Sequence, residues 1–340
     1  AFKSTISKAG HNGIMIKGAK SIEALSNADT FVFDKTGTLT GGELEVICVE
    51  SYDEKWSEDK LLNLTASTEE HYFHPVAEAV VKAAKQRGFV HMHHEEVEFI
   101  VAHGVKTEVK GKSVIIGSRH FLEDDEKIDF TEHKDKIENS LRDGRTLLYI
   151  AYDGKLLGTI TLADELRHNS KEAISKLKKL GVKNIIMLTG DTKQKAEMIA
   201  NELGIDEVRA ELLPQDKAKI VKELMESGKK VAFVGDGIND APALISAHVG
   251  ISMSRGADIA KATADISLLK DDIMAVVEAK EYANKTMNLI NNNFNATVGI
   301  NSCILAGATF GIFSPIVTAV LHNGTTIGLL FNSIKGVNIK

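Results

Sequence analysis

The sequence predicts an α/β protein in which a parallel sheet is interrupted by a large α+β insertion and followed by a pair of membrane helices. Apolar strand-like runs alternate with amphipathic helix-like runs over residues 157–283, a rhythm typical of parallel βαβ units. A further apolar strand, "FVFD", ends at Asp34 and is separated from those units by the more polar segment 43–156. Two stretches near the C-terminus, 294–313 and 314–334, contain no Asp, Glu, Lys or Arg.

Composition limits the partners that the chain can be expected to have. The 340 residues carry a formal net charge of −6 with no dense basic patch, so no nucleic-acid partner is predicted. Cys48 and Cys303 are far apart and give no disulfide framework, which fits a reducing cytosol. The chain begins at Ala1 with neither an initiator Met nor a signal peptide. We therefore expect it to be the C-terminal part of a longer polypeptide, although removal of the initiator Met alone would give the same start.

The first half of the chain is predicted to form three successive pieces. Residues 1–19 are basic and amphipathic and are broken by glycines, and we assign them to a stalk segment. Residues 20–42 supply a short helix, the "FVFD" strand and Gly41-Gly42, a candidate hinge. Residues 43–156 are predicted to form the inserted α+β domain, with two helices followed by alternating strands.

Residues 157–283 complete the parallel sheet together with 20–42. Each apolar strand in this segment ends in a polar, glycine-containing turn. Ligands of open α/β sheets bind outside the carboxyl ends of the strands. These turns are therefore the predicted functional site.

Residues 284–340 are predicted to form two transmembrane helices. Each charge-free stretch is about the length of one span, roughly 20 residues, and Ser314-Pro315 would form the turn between them. Lys285, Lys335 and Lys340 flank the outer ends, which places both ends in the cytosol by the positive-inside rule. The alternative is a buried helical hairpin in a soluble core, because Asn, Thr and Gly are frequent here.

Three acidic turns follow strands of the predicted sheet: Asp34, Thr189-Gly190-Asp191, and the turn from Asp236 to Asp240. A carboxylate at the end of a buried strand is suited to attack a phosphoryl group. A metal ion that bridges Asp34 and Asp236 would neutralise charge during that attack. Thr189 is predicted to hydrogen-bond a phosphoryl oxygen, and Lys217, just after Pro214, to neutralise the transferring group.

These turns together resemble the P-type ATPases, whose phosphorylation domain is haloacid-dehalogenase-like. The matching stretches are "DKTGTLT", "TGD", "PQDKAK" and "GDGINDAPAL". The resemblance implies that Asp34 accepts the γ-phosphate of ATP, with Lys217, Thr189 and Asp191 beside it in the catalytic site. It also implies a Mg²⁺ site made of Asp34, Thr36, Asp236 and Asp240.

Thr36 bears on the choice between a pump and a phosphatase. Soluble phosphatases of this superfamily usually carry a second Asp two residues after the nucleophile as a general acid/base, and this chain has Thr36 there. Hydrolysis of the aspartyl phosphate should then be slow, so that the intermediate persists and drives a conformational change. We predict a pump. A soluble haloacid-dehalogenase-type phosphatase and a non-catalytic binding module with a degenerate site are the alternatives.

The resemblance further implies that the inserted domain binds the nucleotide. The predicted ATP contacts are Glu69, His74, Pro75, Gly104 and Gly117. His74-Pro75 matches a pair that contacts the adenine end of ATP in heavy-metal P-type ATPases, although Tyr72-Phe73 replaces the usual Ser-Glu. Glycines near a nucleotide let the backbone approach it closely, and Ala102 stands where a further glycine is expected.

The His-Pro pair and the two spans after the phosphorylation domain resemble the heavy-metal branch. His322, within "HNGTT", and Asn301 are the predicted ligands of the transported cation. Mn, Fe, Co, Ni, Zn or Cd is favoured over Cu, because a soft Cu(I) site needs several sulfur ligands and Cys303 stands alone. The other predicted partners are the lipid bilayer and the missing N-terminal membrane and actuator segments of the same polypeptide. The predicted location is the cell membrane, with the catalytic domains in the cytoplasm.

The loop "HMHHEEVE", residues 91–98, is a second candidate for metal binding. It contains His91, His93 and His94 beside several carboxylates, a composition that suits transition metals. The alternative, which we favour from the sequence, is a solvated polar surface.

Overall fold

The structure is a computed structural model that describes residues 1–70, 74–100, 104–141, 145–236, 240–254 and 258–337. The chain forms two compact units. The first unit contains residues 1–39 and 167–340, and the second contains residues 40–166. The second unit is therefore an insertion in the sequence of the first.

The elements are numbered in chain order through both units. The strands are β1 (Ile14–Ile16), β2 (Thr30–Asp34), β3 (Thr40–Ser51), β4 (Glu98–Ile100), β5 (Gly104–Val109), β6 (Lys112–Gly117), β7 (Thr146–Tyr152), β8 (Lys155–Leu166), β9 (Asn184–Leu188), β10 (Glu207–Arg209), β11 (Val231–Gly235), β12 (Val249–Ser252) and β13 (Ile266–Leu268). The helices are α1 (Phe2–His11), α2 (Ala19–Asn27), α3 (Glu58–Glu69), α4 (Pro75–Gln86), α5 (Lys134–Leu141), α6 (Ser170–Lys179), α7 (Lys193–Leu203), α8 (Pro214–Glu226), α9 (Ala241–Ser246), α10 (Asp258–Thr263), α11 (Met274–Thr309) and α12 (Pro315–Lys335).

The first unit is built on a sheet with the strand order β1-β13-β12-β11-β2-β9-β10. The strands from β13 to β10 are parallel, and β1 is antiparallel to β13. Every residue of β2 is buried, because Phe31, Val32 and Phe33 present apolar side chains to both covered faces of the sheet. The predicted α/β fold with a parallel sheet is confirmed.

The long helix α11 is fixed to the segment that leads into β2. The side chain of Lys280 is buried, and its Nζ donates to the carbonyl oxygens of Leu25, Ser26 and Ala28 at 2.8, 2.8 and 2.9 Å. A cation is favoured at this place, because the last carbonyl groups of α2 lack partners within the helix. Burial lowers the pKa of the Lys280 ammonium to about 8. The contact anchors the chain just before the strand that carries Asp34.

The second unit is an antiparallel sheet with the order β3-β8-β7-β6-β5-β4. Alternate residues of its strands point to opposite faces. On one face, α3 and α4 pack against the sheet through buried residues that include Leu61, Val80, Ile116 and Ile160, and Trp56 packs against this cluster. The other face carries a second cluster that includes the side chains of Phe121, Leu122, Phe130 and Tyr149.

The predicted inserted segment, 43–156, is shorter than this unit at both ends. The reason is that β3 begins at Thr40 and β8 continues to Leu166, so both strands extend past the predicted limits. Gly41 and Gly42, the candidate hinge, lie in β3 where its pairing with β8 shifts register. The Gly42 N–H donates to Asp164 Oδ1 at 2.9 Å. These glycines are thus part of a paired strand, and their role as a hinge stays a prediction.

The C-terminal segment forms two helices joined by a short turn. The second of them, α12, begins after Ser314, whose Oγ accepts the Val317 N–H at 3.4 Å. Within the described residues, no helix combines the length and the low polarity needed to cross a membrane. The predicted pair of spans, 294–313 and 314–334, is therefore not confirmed. Their asparagine, threonine, serine and glycine residues lower the mean hydropathy of both helices.

Candidate active site

Asp34 lies at the carboxyl end of β2, an interior strand of the sheet in the first unit. It is 6% exposed, and its strand runs between β9 and β11, parallel to both. The backbone of Asp34 is level with Leu188, the last residue of β9, and Asp236 directly follows the last residue of β11. The parallel arrangement therefore brings three predicted acidic turns to one edge of the sheet.

The turn after Asp34 requires a glycine. Gly37 has a φ of +71°, in the region that disfavours residues with a side chain. A Cβ atom at this position would lie 1.6 Å from Asp236 Oδ2. Gly37 therefore lets Asp236 approach the Asp34 turn closely. Thr36, just before it, is exposed.

Three carboxylates and one ammonium group meet at this edge. Asp34, Asp236 and Asp240, which we call the aspartate trio, have ligand oxygens within 4.8 Å of one another. Lys217 Nζ lies 2.9 Å from Asp34 Oδ1 and 2.7 Å from Asp240 Oδ1. Lys217 reaches them from the first turn of α8, which begins at Pro214. Asp240 also accepts the Asp236 N–H through Oδ2 at 3.2 Å.

The electrostatics of the trio follow from burial and mutual repulsion. Burial raises the pKa of Asp34 to about 7, Asp240 adds to this, and Lys217 opposes it. Burial and then Asp240 raise the pKa of Asp236 to about 6. Burial alone would lower the pKa of the Lys217 ammonium, but the Asp34 and Asp240 carboxylates raise it above its usual value. The trio therefore carries more negative charge than Lys217 compensates.

The Thr189-Gly190-Asp191 turn lies at the same sheet edge with partners of its own. Thr189 is buried, and its Oγ1 accepts the Asp191 N–H at 3.1 Å. The Asp191 carboxylate pairs with Lys35 Nζ at 2.9 Å and with Lys195 Nζ at 3.7 Å. Asp191 thus pairs with Lys35, the residue that follows Asp34, and does not belong to the trio.

Arg167 is a site residue that the sequence reasoning missed. Its side chain is 9% exposed and pairs with Asp271 Oδ1 at 2.7 Å. Its guanidinium also donates to the carbonyl oxygens of Gly37 and Thr38 at 3.1 and 3.0 Å. Arg167 therefore holds the turn that follows Asp34. A lone arginine after a strand carries no sequence signal for this role, because the contact depends on how the chain returns after the insertion.

In the second unit, the predicted ATP contacts fall in different surroundings. Glu69 is 5% exposed at the end of α3, and burial raises its pKa to about 7. It borders a cleft of about 530 Å³ between α3 and α4. His74 is exposed and caps α4, where its Nδ1 accepts the Val76 N–H at 3.3 Å and Pro75 is the first helical residue. Among the described residues, Glu69 lines this cleft, whereas His74 and Pro75 do not.

The two predicted glycines face each other in neighbouring strands. Gly104 of β5 pairs with Gly117 of β6. A Cβ atom on Gly104 would lie 2.0 Å from the Ile116 carbonyl oxygen and 2.7 Å from Gly117 Cα. Strand packing therefore already requires Gly104. Ala102 and Tyr72-Phe73, which depart from the family pattern, lie outside the described residues.

The two predicted ligands of the transported cation are in contact. His322 Nδ1 of α12 lies 3.1 Å from Asn301 Oδ1 of α11. The same pair of helices is joined by Asn293, which donates to Ser333 at 2.8 Å and accepts from Asn332 at 2.7 Å. Polar side chains thus face one another along this helix pair.

Comparisons with known proteins agree on one family. The model of the haloacid dehalogenase-like hydrolases matches residues 28–248. A zinc-exporting P-type ATPase of Mycobacterium marinum is 37% identical over 98% of this chain and 46% of its own length. A manganese-exporting P-type ATPase of Mycobacterium tuberculosis is 36% identical over 98% of this chain and 47% of its own length. The chain thus spans about half the length of these relatives.

A solved structure extends the match to three dimensions. The crystal structure of a zinc-transporting PIB-type ATPase in an E2.Pi state superposes with a TM-score of 0.87 and 33% identity, over 98% of this chain and 54% of the other. The similarity therefore includes both units and the C-terminal helices. The chain belongs to the haloacid dehalogenase-like hydrolase family, and its predicted resemblance to the heavy-metal P-type ATPases is confirmed.

Proposed function

We propose that this chain is the catalytic part of an ATP-driven transition-metal pump that works through an aspartyl phosphate on Asp34. The observation that carries the proposal is the aspartate trio with Lys217 bridging two of its members. A buried carboxylate with an ammonium group at 2.9 Å is placed to act as a nucleophile toward a phosphoryl group.

In the proposed step, a carboxylate oxygen of Asp34 attacks the γ-phosphorus of ATP. A new P–O bond forms to Asp34, the bond to the β-phosphate oxygen breaks, and ADP leaves with that electron pair. Lys217, held between Asp34 and Asp240, reduces the repulsion between the nucleophile and the phosphate oxygens. Arg167 and Gly37 keep the turn after Asp34 in place.

The trio also fits a magnesium ion. Its donors are carboxylate oxygens, which Mg²⁺ prefers, and the space that a Cβ on Gly37 would fill is taken by Asp236. We assign the ion to Asp34, Asp236 and Asp240, with Thr36 as a further predicted donor. When bound, Mg²⁺ supplies positive charge to the transferring phosphoryl group.

We assign the nucleotide to the second unit, with Glu69 and the cleft beside it as the best-supported part of the site. His74 and Pro75 start α4, which forms one wall of that cleft. Gly104 and Gly117 stay in the proposal, although the packing of β5 on β6 is sufficient to explain Gly104. ATP is the proposed substrate, since the family resemblance and the position of Asp34 both favour it.

For the cargo, we propose a transition-metal cation, with His322 and Asn301 as ligands. The two side chains are already 3.1 Å apart, and the relatives named above export zinc and manganese. An imidazole nitrogen with an amide oxygen suits borderline cations better than Cu(I). Transport implies a membrane, so the proposed location is the cell membrane, with the second unit and the sheet of the first unit on the cytoplasmic side.

The test is acid-stable phosphorylation from radiolabelled ATP in membranes that contain the full-length polypeptide. Labelling is measured with Mg²⁺ and each of Mn²⁺, Fe²⁺, Co²⁺, Ni²⁺, Zn²⁺, Cd²⁺ and Cu⁺. Asp34→Asn should abolish labelling. Asp29→Asn, which changes the residue just before β2, should retain it. Labelling that survives in Asp34→Asn would show that the nucleophile is assigned wrongly.

The same experiment separates a pump from a soluble phosphatase. A pump should show labelling that one transition metal raises and that decays slowly, because Thr36 supplies no carboxylate base. Labelling that is equal with and without every transition metal, and that turns over rapidly, would favour the phosphatase.

A further inference from the structure

Two histidines and a glutamate come together in the second unit, away from the aspartate trio. The rings of His91 and His94 have centroids 5.4 Å apart and are tilted by 48°. His91 Nε2 lies 3.8 Å from Glu70 Oε2. Glu70 directly follows α3, whereas the histidines lie in the loop before β4. The chain thus joins residues that are distant in sequence into one small polar group.

These spacings are close to those of a zinc site. With a Zn–N distance of about 2.0 Å, two imidazoles on a tetrahedral ion have ring centroids roughly 5 Å apart and ligand atoms roughly 3.3 Å apart. The centroid distance of 5.4 Å and the nitrogen–oxygen distance of 3.8 Å exceed these values by less than 1 Å. Unlike the aspartate trio, the ligand atoms of these three side chains are not all within 4.8 Å of one another, so the side chains must move closer together to hold an ion.

The loop that carries the histidines is tied down on both sides. The Met92 N–H donates to Ser67 Oγ of α3 at 2.8 Å. Glu95 is hydrogen-bonded to β5: its N–H donates to the Glu108 carbonyl oxygen, and its own carbonyl oxygen accepts from Thr107 Oγ1. These bonds fix the backbone around His91 and His94, which reduces the entropy lost when a ligand binds.

One histidine is also oriented in the way that metal ligands are. His94 Nδ1 lies 2.8 Å from the Glu95 carbonyl oxygen, a contact that places the ring proton on Nδ1 and the lone pair on Nε2. Ligating histidines commonly make this second hydrogen bond, which fixes the tautomer and the ring orientation. A solvated histidine surface would need neither this bond nor the carboxylate beside His91.

We propose that His91, His94 and Glu70 bind a divalent transition-metal cation such as Zn²⁺ or Co²⁺. Two imidazoles and one carboxylate form a three-ligand set that suits such cations, with a further position open to water. His93 lies between His91 and His94 in the sequence and is exposed. It is not a member of the ligand set. The site adjoins Glu69 in sequence and is separate from the cation path proposed for the C-terminal helices.

The test is a titration of the complete chain with Co²⁺, followed by visible absorption. Excess Mg²⁺ keeps the hard carboxylate donors of the trio occupied, so that the spectrum reports imidazole ligation. In a His322→Ala background, which removes the imidazole proposed as a ligand in α12, we expect one equivalent of Co²⁺ with a tetrahedral absorption band, displaced by Zn²⁺. His91→Ala and His94→Ala should each weaken binding by roughly tenfold or more, with unchanged Trp56 fluorescence as the control for folding.

His120→Ala is the matched control variant. His120 is also exposed in the second unit and lies 3.6 and 3.9 Å from the carboxylates of Asp125 and Asp124. The His120→Ala variant should bind Co²⁺ with the same affinity as the unchanged chain. The proposal fails if Co²⁺ shows no imidazole-ligated spectrum, if neither His91→Ala nor His94→Ala weakens binding, or if His120→Ala is the variant that removes it.

Discussion

Glu69 should cost the second unit stability at neutral pH and above. Its carboxyl group is 5% exposed, and burial is the single cause that raises its pKa, from 4.5 to about 7. Removal of the ionised form from water is unfavourable when no partner charge compensates it. Glu69→Gln keeps the shape of the side chain and removes the charge, so it should stabilise the unit wherever Glu69 would be ionised.

The size and direction of the effect follow from the two pKa values. A shift of about 2.5 units corresponds to about 3 kcal/mol. Because the folded state holds the proton more tightly than the unfolded state, the contribution of Glu69 to the free energy of unfolding is fully present below pH 4.5 and is lost as the pH rises through 7. The stability of Glu69→Gln relative to the unchanged chain should therefore rise with pH, by up to about 3 kcal/mol at pH 8.

The assay is urea unfolding between pH 4.5 and 8.5 in the presence of a chelator. Trp56 is the one tryptophan of the sequence and packs against the core of the second unit, so its fluorescence follows this unit. Glu70→Gln is the control, since Glu70 is the exposed neighbour of Glu69. If the Glu69→Gln difference stays within about 0.5 kcal/mol across this range, the usual size of a surface effect, the reasoning is refuted.

Five further substitutions at four residues test the proposed phosphorylation site by acid-stable labelling from ATP. Lys217→Met removes the ammonium group between two carboxylates and should reduce the labelling rate by roughly a hundredfold or more, with Lys217→Arg retaining more than Lys217→Met. Gly37→Ala places a Cβ 1.6 Å from Asp236 Oδ2 and should raise the Mg²⁺ concentration required; an unchanged requirement would show that the contact is unimportant. Arg167→Met frees the turn after Asp34 and should lower the maximal labelling rate by roughly tenfold or more. Asp271→Asn should lower the rate as well if the ion pair between Arg167 and Asp271 holds this turn.

The sequence was sufficient to locate the aspartate trio because each member lies within five residues of a strand end. A buried run such as "FVFD" fixes the strand, and parallel pairing then brings the carboxyl ends of neighbouring strands to one edge. Asp34, Asp236 and Asp240 are accordingly brought together in the structure. The hydrogen bond from Thr189 to a phosphoryl oxygen concerns a ligand rather than the fold, and it stays a prediction.

Arg167 and Lys280 show what local pattern could not reveal. Arg167 contacts carbonyl groups that are 129 and 130 residues away in sequence, and Lys280 contacts three that are more than 250 residues away. Both side chains donate to backbone oxygens, which every residue possesses. The sequence therefore does not identify which residues are their partners. Only the packed fold specifies such contacts.

Gly104 shows a different limitation. The sequence predicted that a glycine is needed at this position but supplied only part of the physical reason. The family resemblance suggested a glycine that lets a nucleotide approach the backbone. The structure shows a second requirement, because the Ile116 carbonyl oxygen lies 2.0 Å from where a Cβ of residue 104 would be. A substitution at Gly104 would therefore disturb strand packing as well as any ligand, and loss of ATP binding in such a variant would not by itself identify a contact.

Charge balance at the sheet edge connects the geometry of the trio to its proposed chemistry. Three ionised carboxylates and one ammonium group sum to a formal charge of −2 within a few ångströms. Burial and repulsion accordingly raise the pKa of Asp34 to about 7 and that of Asp236 to about 6. A divalent cation would supply the missing charge of +2 and would favour the ionised, nucleophilic form of Asp34. A cation at the trio would therefore lower the pKa of Asp34 and favour the ionised form that the proposed attack on ATP requires.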